Sequence, residues 1–171
     1  MRDLPTAPML TEAATALTRH VRSDNEILRS AAIKALIGLG TDQGLSLQFL
    51  TEARLDPDPD VRSDAMDALS QLALPEHAPL LRHSLEADPV REVKRAAIEG
   101  LARLRDPNAI ELLRALTLSR CEDRVDWEDQ NSDWEDWLDI QIAAIDALGE
   151  MKVTGAIDDM LILKAQAIEH F

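Results

Sequence analysis

Aromatic residues are scarce in this sequence, which has no tyrosine, two phenylalanines and three tryptophans among 171 residues. Apolar residues still make up 46% of the chain, and most of them are Ala, Leu and Ile. A β-sandwich of this size would need more Val, Thr and aromatic side chains, because these pack best on a pleated sheet. Small and unbranched side chains instead suit helices packed closely on helices. The composition therefore predicts an all-α fold with a sizeable core and argues against global disorder.

Positive charge is also scarce. The chain has 18 Lys and Arg against 32 Asp and Glu, which gives a formal net charge of −14. Such a charge repels the phosphates of nucleic acids and anionic membrane surfaces. The basic stripe typical of nucleic-acid-binding proteins is missing. We therefore expect neither nucleic acid nor membrane among the partners.

Cysteine and long apolar runs are the third scarcity. The single cysteine, Cys121, cannot form an internal disulfide, which fits a reducing compartment. No apolar run approaches the roughly 20 residues that a membrane-spanning helix needs. The segment from Met1 to Pro5 has no apolar core of a secretion signal. These features predict a cytoplasmic protein.

The main positive signal is a repeat, because four segments of the chain align in one register. They begin at Leu28, Val61, Val93 and Ile140, in steps of 33, 32 and 47 residues. Each segment has apolar or small residues at offsets 0, 4, 7, 8 and 11 from its first residue, which draws one stripe along a helix. Offset 5 is apolar too, and is filled by Ile33, Met66, Ile98 and Ile145. The pattern predicts four helices with broad buried faces.

A second amphipathic stretch follows each of these helices at a short distance, and apolar residues mark it in repeats 2 to 4. Its apolar markers are Ala78, Leu81 and Leu85, then Ile110, Leu113 and Leu116, then Ile157, Met160 and Leu163. The unit is therefore a helical hairpin, and such hairpins must stack because one alone cannot bury its apolar face. The predicted single domain, 1–171, consists of a capping helix (9–22), repeats 1 to 3 (23–55, 56–87 and 88–120), an acidic insertion (121–136) and repeat 4 (137–168).

The turns between repeats contain residues that start helices. The first, second and third of the four register helices are preceded by Ser23-Asp24-Asn25, by Asp56 to Asp60 and by Asp88-Pro89. Asp, Asn and Ser accept hydrogen bonds from the free N–H groups of a first helical turn, and Pro separates adjoining helices. We expect each turn to supply an N-cap.

The motif Asp58-Pro59-Asp60-Val61-Arg62, followed by Ala-x-x-Ala-Leu, resembles HEAT repeats of the group named after phycobilisome lyase subunits. The resemblance covers residues 23–168 and implies an α-α superhelix, that is, a HEAT-like solenoid. It also implies functions such as adaptor, assembly factor or lyase partner. Repeat 4 departs from the pattern, because Gln141 replaces the basic residue at offset 1 and no Asp-Pro precedes it.

The insertion before repeat 4 is acidic and contains or adjoins every tryptophan of the chain. Residues 121–139 include nine acids and one arginine, a net charge of −8. Insertions in repeat proteins often lie on the binding face, and Trp is a common interface anchor. Acids around such anchors would favour a partner with a basic surface. The predicted partner-binding residues here are Trp127, Trp134, Trp137, Asp126, Asp129, Asp133 and Asp136.

Two alternatives for the insertion stay open. The tryptophans could fold back on repeats 3 and 4, or the acids could bind divalent cations loosely. A calcium-binding EF-hand loop does not fit, because counting from Asp129 places Trp134 where Gly is needed and Ile140 where Glu is needed. The sequence therefore predicts no dedicated metal site.

Catalytic motifs are not found in the sequence. The histidines, His20, His77, His83 and His170, are not spaced as zinc ligands. No phosphate loop, nucleophile elbow or dinucleotide fingerprint is present. Cys121 adjoins acids and lacks the electropositive surroundings of a nucleophile. We expect no catalytic residue and no cofactor.

Two further surfaces are predicted to contact partners. The second helices carry polar residues of mixed charge, among them His77, Arg82 and Arg114. The last helix is apolar on adjacent faces, and Ile162 is the residue expected to stay uncovered, which predicts weak self-association through this end. The alternative is that residues 164–171 shield it.

These features together predict a non-catalytic adaptor or assembly factor that binds a partner protein through its repeat surface and its acidic Trp segment. The first alternative is a subunit of a bilin lyase or another cofactor-handling chaperone that acts with a partner, and it depends on the resemblance alone. The second alternative is a binding module that responds to divalent cations.

Overall fold

The computed structural model describes residues 7–38, 43–118 and 134–155. Its helices are α1 (Ala7–His20), α2 (Glu26–Gly38), α3 (Gln43–Ala53), α4 (Pro59–Leu72), α5 (Ala78–Ala87), α6 (Arg91–Leu104), α7 (Ile110–Leu118) and α8 (Trp134–Glu150). Short 3-10 turns at Pro75–His77 and Pro107–Ala109 precede α5 and α7. No strand occurs in the described ranges. The predicted all-α class of helical repeats is confirmed.

The four register segments lie on α2, α4, α6 and α8, which we call the first helices. The helices α3, α5 and α7 are the corresponding second helices. The second helix of repeat 4, predicted around Ile157 to Leu163, lies outside the described residues. The insertion was expected to extend to residue 136, but α8 already begins at Trp134.

The chain divides into two compact units, residues 1–72 and 73–171. In unit 1, α1 packs on α2, and both α2 and α3 pack on α4. A buried cluster in this unit consists of Ala14, Val21, Ala32, Leu36 and Phe49, with Leu17 packed against it. The helix α1 thus covers one side of the first hairpin, as its apolar stripe predicts.

In unit 2, α5 packs on α6, and both α6 and α7 pack on α8. The leucines at offset 8, namely Leu101 and Leu148, are fully buried here, and Leu36 and Leu69 are buried at the same position in unit 1. Burial of each such side chain stabilises the fold by about 1.5–3 kcal/mol. The register therefore identifies the core of both units.

Two positions of the predicted stripe are less buried than expected. Leu28 at offset 0 is 45% exposed, whereas Val61, Val93 and Ile140 are buried. A second helix precedes the offset-0 position of the later repeats, but only α1 precedes α2. Ile145 at offset 5 is partly buried, whereas Ile33, Met66 and Ile98 at the same offset are buried.

The first helices of repeats 2, 3 and 4 end in the same way. Ala73, Arg105 and Lys152 stand twelve positions after their segment starts and have left-handed backbone, with φ of 45°, 49° and 59°. The backbone N–H of the residue that follows Arg105 or Lys152 donates to a carbonyl in the last turn of the helix. Asp106 N–H donates to Leu101 O (3.1 Å), and Val153 N–H donates to Leu148 O (3.0 Å). This is the Schellman arrangement, in which glycine is the favoured residue.

The helix starts agree with the predicted caps at two turns and differ at the third. Asn25 Oδ1 accepts from the N–H of Leu28 (3.1 Å), and Asp58 Oδ1 accepts from that of Val61 (3.2 Å). The N-cap of α6 is Val90, without a side-chain bond. The expected cap at Asp88-Pro89 is wrong, because Asp88 Oδ1 instead accepts from the N–H of Val90 (3.0 Å) and closes the turn ahead of the helix.

Each first helix is fastened by a polar side chain at offset 1, which we call the back-reaching donor. Arg29 Nη1 donates to Ser23 O (2.9 Å), and Arg62 Nη1 donates to Asp56 O (3.1 Å) and Pro57 O (3.2 Å). Lys94 Nζ donates to Leu85 O (2.7 Å), near the end of α5. Gln141 Nε2 donates to Thr117 O (2.8 Å), near the end of α7. The neutral Gln141 therefore keeps the function of the basic residue that it replaces.

No helix in the described part of the chain is long and apolar enough to span a membrane.

Candidate protein-binding groove

Unit 2 contains a groove of about 420 Å³ between the first helices α6 and α8. Its lining residues are Arg95, Ile98, Glu99, Ala102, Arg103, Asp139, Ile142, Ala143, Asp146, Ala147 and Glu150. We call it the first-helix groove. The α6 residues form one wall and the α8 residues form the other.

The floor of the groove is apolar, because small side chains of both helices meet there. Ala102, Ala143 and Ala147 line it. Ile142 also lines it and is 47% exposed, and Leu138, one turn earlier on α8, is 38% exposed. The α8 side of the groove therefore presents large apolar side chains to solvent.

The α6 wall carries two cations that share one carboxylate. Glu99 lies between Arg95 (Nε–Oε1, 3.5 Å) and Arg103 (Nη2–Oε2, 3.7 Å), one helical turn away on either side. Such exposed pairs contribute about 0.3–0.5 kcal/mol each. The positive charge of this wall is thus partly neutralised within α6.

The α8 wall is acidic and less neutralised. Asp139 Oδ2 lies 3.3 Å from Arg91 Nη1 at the start of α6. Asp146 and Glu150 are exposed, and neither has an ion pair or hydrogen-bond partner among the described residues. The groove therefore has an apolar floor beside two free carboxylates.

Arg91 also affects the neighbouring Glu92. Partial burial raises the pKa of Glu92, but hydrogen bonds from Arg91 and from its own backbone, together with the charges of Arg91 and Arg95, outweigh that effect. The pKa of Glu92 therefore lies below its ordinary value, and this carboxylate is ionised at neutral pH.

The corresponding first helices of unit 1, α2 and α4, are bridged by side chains where α6 and α8 are not. Lys34 Nζ lies 2.9 Å from Asp64 Oδ1, and Ser30 Oγ donates to the other oxygen of Asp64. These residues stand at offsets 6, 3 and 2 of their repeats. The same offsets in repeats 3 and 4 hold Glu99, Ala143 and Arg95. The groove is open because an alanine and a glutamate replace the bridging pair.

A second depression, which lies in the described part of unit 1, is lined by ion-paired side chains. It is lined by Arg22, Arg29, Glu52 and Asp56, among others. Arg22 contacts both carboxylate oxygens of Glu52 (2.9 and 3.0 Å), and Arg29 contacts both of Asp56 (2.7 Å each). The hydrogen bond from Arg22 lowers the pKa of Glu52, and the bond to Asp56 raises the pKa of Arg29. Four of its five charged lining residues are therefore already engaged within the unit, and the fifth is Asp24.

The predicted Trp segment is described only at its end. Trp127, Asp126, Asp129 and Asp133 lie outside the described residues. Trp134 and Asp136 lie in the first turn of α8, and Trp137 follows in the same helix and is partly buried. The involvement of all seven residues in partner binding stays a prediction.

His77 does not lie on a partner-binding surface. Its exposed fraction is 0%. The 3-10 turn Pro75–His77 places it one helical turn before Leu81, on the inward side of α5, and Leu81 is also fully buried. A partner cannot contact His77 without unfolding this turn, so its assignment to the surface was wrong.

Arg82 and Arg114 differ in their engagement. Arg82 pairs with Asp106, whose carboxylate also accepts from the N–H of Asn108 (3.2 Å). Arg82 therefore connects α5 to the turn before α7, and its role in partner binding stays a prediction. Arg114 lies 3.4 Å from Glu111 and stays partly exposed.

The groove was missed in the sequence, although a signal for it was present. Asp139, Ile142, Asp146 and Glu150 recur at helical spacing on one side of α8, and no Lys or Arg occurs between residues 134 and 150. Within the described ranges, no group of three or more His, Cys, Asp or Glu is placed to hold a metal ion.

Residues 47–128 match the family model described as HEAT repeats. The matched range contains all of α4, α5, α6 and α7 and the α6 wall of the groove. No curated protein matches the chain. The match supports a HEAT-like repeat protein, and it agrees with the all-α helical hairpins of the described residues.

Proposed function

We propose that this chain is a non-catalytic adaptor or assembly factor that binds a partner protein in the first-helix groove. HEAT repeats commonly act as scaffolds for protein–protein interaction. The observation that carries the proposal is the exposure of Ile142 in a groove with an apolar floor, beside two carboxylates that have no partner among the described residues.

The physical basis is the combination of an apolar floor with a charged rim. Exposed apolar side chains that cluster beside polar groups are typical of protein-binding surfaces. Ile142 and Leu138 stand four residues apart on α8 and therefore share one side of that helix. A partner side chain placed between them and the alanines would bury apolar area on both molecules, and charges at the rim would orient it.

The proposal includes the predicted Trp segment because two of its tryptophans belong to α8. Trp134 and Trp137 lie in the first two turns of the helix that forms the acidic wall. A partner in the groove would extend toward these residues along the same helix. Contacts by Trp127 and by the acids of residues 121–136 are part of the proposal and are supported by the composition of that segment.

Site-specific photo-cross-linking in the parent cells tests the proposal. A photoreactive phenylalanine analogue replaces Ile142 in one variant and Glu86, an exposed residue of α5, in a matched control. We expect a discrete cross-linked protein at position 142 and none of the same size at position 86. Failure to cross-link any protein at position 142, with both variants folded by circular dichroism, would contradict the proposal.

The bilin-lyase alternative is supported only by the resemblance of the Asp58 to Leu72 motif. Co-expression with a candidate lyase partner and a bilin source tests it. Coloured, chromophore-bearing protein would favour that function, and colourless protein would count against it.

A further inference from the structure

We propose that the occupant of the first-helix groove is a cationic amphipathic helix, with apolar residues on one face and Lys or Arg beside them. This inference depends on the proposed function and names the chemical class of the partner. Its basis is the geometry and charge of the α8 wall.

The apolar part of the occupant follows from the floor. The floor consists of alanine methyl groups and Ile142, which offer neither a hydrogen-bond donor nor an acceptor from their side chains. Only apolar side chains gain free energy by leaving water there. Long aliphatic or aromatic residues of the partner would fill the space that the small floor residues leave.

The positive charge of the occupant follows from the rim. Asp146 and Glu150 are four residues apart and therefore lie on the same side of α8. Both are free of partners among the described residues, whereas Arg95 and Arg103 already share Glu99. An anionic segment would place its charges against the two free carboxylates, and a cationic one would neutralise them. The net charge of −14 also accelerates the approach of a cationic partner.

The helical form of the occupant follows from the shape of the walls. The groove runs between two helices, and the side chains that line α8 recur over three turns from Asp139 to Glu150. A helix that lies along this groove presents side chains at the same spacing, so one face meets the floor while flanking residues reach the acids. An extended segment would place alternate side chains away from the floor.

A binding assay with synthetic peptides tests the inference. The probe is a fluorescein-labelled helical peptide of about 18 residues, which is five turns, with Leu on one face and Lys flanking it. A second peptide has Glu in place of every Lys, and a third is a scrambled sequence of the first that has no apolar face. Fluorescence anisotropy measures binding of each to the full chain.

We expect the Lys peptide to bind and the other two to bind at least about tenfold more weakly. The double variant Asp146→Asn/Glu150→Gln should weaken the Lys peptide by about three- to tenfold at about 0.1 M salt. The difference should shrink at about 1 M salt, where the screening length falls to about 3 Å. The matched control Glu76→Gln/Glu86→Gln removes the same charge from two exposed positions, one in the 3-10 turn before α5 and one near the end of α5. It should change the affinity for the Lys peptide by no more than about twofold.

A closing variant tests the site by a different route. Glu99→Lys/Ala143→Asp places in the groove the pair that bridges α2 and α4 in unit 1, and should weaken the Lys peptide without removing any residue of the α8 rim. The variant Ala143→Leu fills the floor with an apolar side chain and should have the same effect. If circular dichroism shows that one of the two variants does not fold, the other one provides the test.

Three results would overturn the inference. They are equal binding of the Lys and Glu peptides, equal weakening by the rim and control double variants, and unchanged binding by both closing variants. The proposed function is tested separately. If a protein cross-links at position 142 but the Lys peptide binds no better than the Glu peptide, the proposed function stands and the inference of a cationic helix is wrong. Peptide binding without any cross-linked protein would do the reverse.

Discussion

The first helices of unit 1 and those of unit 2 show how two residues decide whether a pair of repeats presents a surface or closes it. In unit 1, Lys34 and Asp64 bridge α2 and α4 at 2.9 Å. In unit 2, Glu99 and Ala143 occupy those positions and leave the groove between α6 and α8 open. Both pairs of helices pack closely and bury leucine at offset 8. The core is therefore shared, and the surface chemistry of each pair is set independently of it.

The back-reaching donors differ between the units in charge but not in task. Arg62 in unit 1 is a buried cation that donates to the carbonyls of Asp56 and Pro57, whereas Gln141 in unit 2 is a buried neutral amide that donates to that of Thr117. A buried charge costs desolvation and must be compensated by strong hydrogen bonds. The register position therefore requires a long donor rather than a cation.

The largest expected effect is the loss of these donors. Arg62→Met should lower the free energy of unfolding by about 1.5–3 kcal/mol, and Gln141→Met by about 0.5–1.5 kcal/mol, because hydrogen bonds from charged donors are the stronger ones. Urea denaturation followed by circular dichroism measures both. The comparison would fail if Gln141→Met cost as much as Arg62→Met, since the charge would then contribute nothing.

The next effect concerns the bridge itself. Asp64→Ala removes the partner of Lys34 and Ser30 and should cost about 1 kcal/mol. The matched control Asp146→Ala removes an exposed carboxylate on α8 that has no partner among the described residues, and should cost no more than about 0.5 kcal/mol. Equal values for the two variants, by the same urea measurement, would show that the bridge does not stabilise unit 1.

A smaller effect should stabilise unit 2. Arg105 has left-handed backbone, which costs a side-chain-bearing residue about 1 kcal/mol relative to glycine. Arg105→Gly should therefore raise the free energy of unfolding by about 0.5–1 kcal/mol. The control Arg103→Gly, two residues earlier within α6, should lower it by about 1 kcal/mol. A loss in both variants would mean that the Arg105 side chain contributes more than its backbone costs.

The smallest effect is a dependence on pH in unit 1. The pKa of Glu52 is lowered by Arg22, so the stabilisation is fully present above the ordinary glutamate pKa of about 4.3. It is lost as the pH falls through the lowered pKa of the folded chain. The difference in urea midpoint between the wild type and Glu52→Gln should be constant near neutral pH and shrink below about pH 4. A difference that is unchanged down to pH 3 would contradict the assignment.

The sequence predicts the repeat well, because the apolar stripe is a property of each helix taken alone. The spacing from Val61 to Leu69 identifies α4, and the same spacing identifies α6 and α8. The cap at Asp58 follows from local chemistry in the same way. These features depend on residues within a few positions of one another, which one sequence contains.

The groove and the engaged arginine were not predictable in this way. Arg82 pairs with Asp106, 24 positions away, and Glu99 stands 44 positions before Ala143 in the opposite wall. Such contacts depend on which sides of two helices lie opposite each other, and the register of the repeats does not predict that arrangement. His77 is buried at the end of the 3-10 turn Pro75–His77, and the helical periodicity of α5 alone does not predict that turn. The Trp segment before Trp134 stays a prediction.

The back-reaching donors also define where the chain tolerates duplication or loss of a block. Lys94 donates to a carbonyl near the end of α5, and Gln141 donates to one near the end of α7. In both cases the first helix of one repeat provides the donor for the second helix of the repeat before it. A gene segment that begins just ahead of a first helix carries the donor with it. Copying or excising the segment that holds α6 and α7 would leave the second helix before each junction followed by a first helix with such a donor, whereas a junction inside a hairpin would separate a second helix from its first.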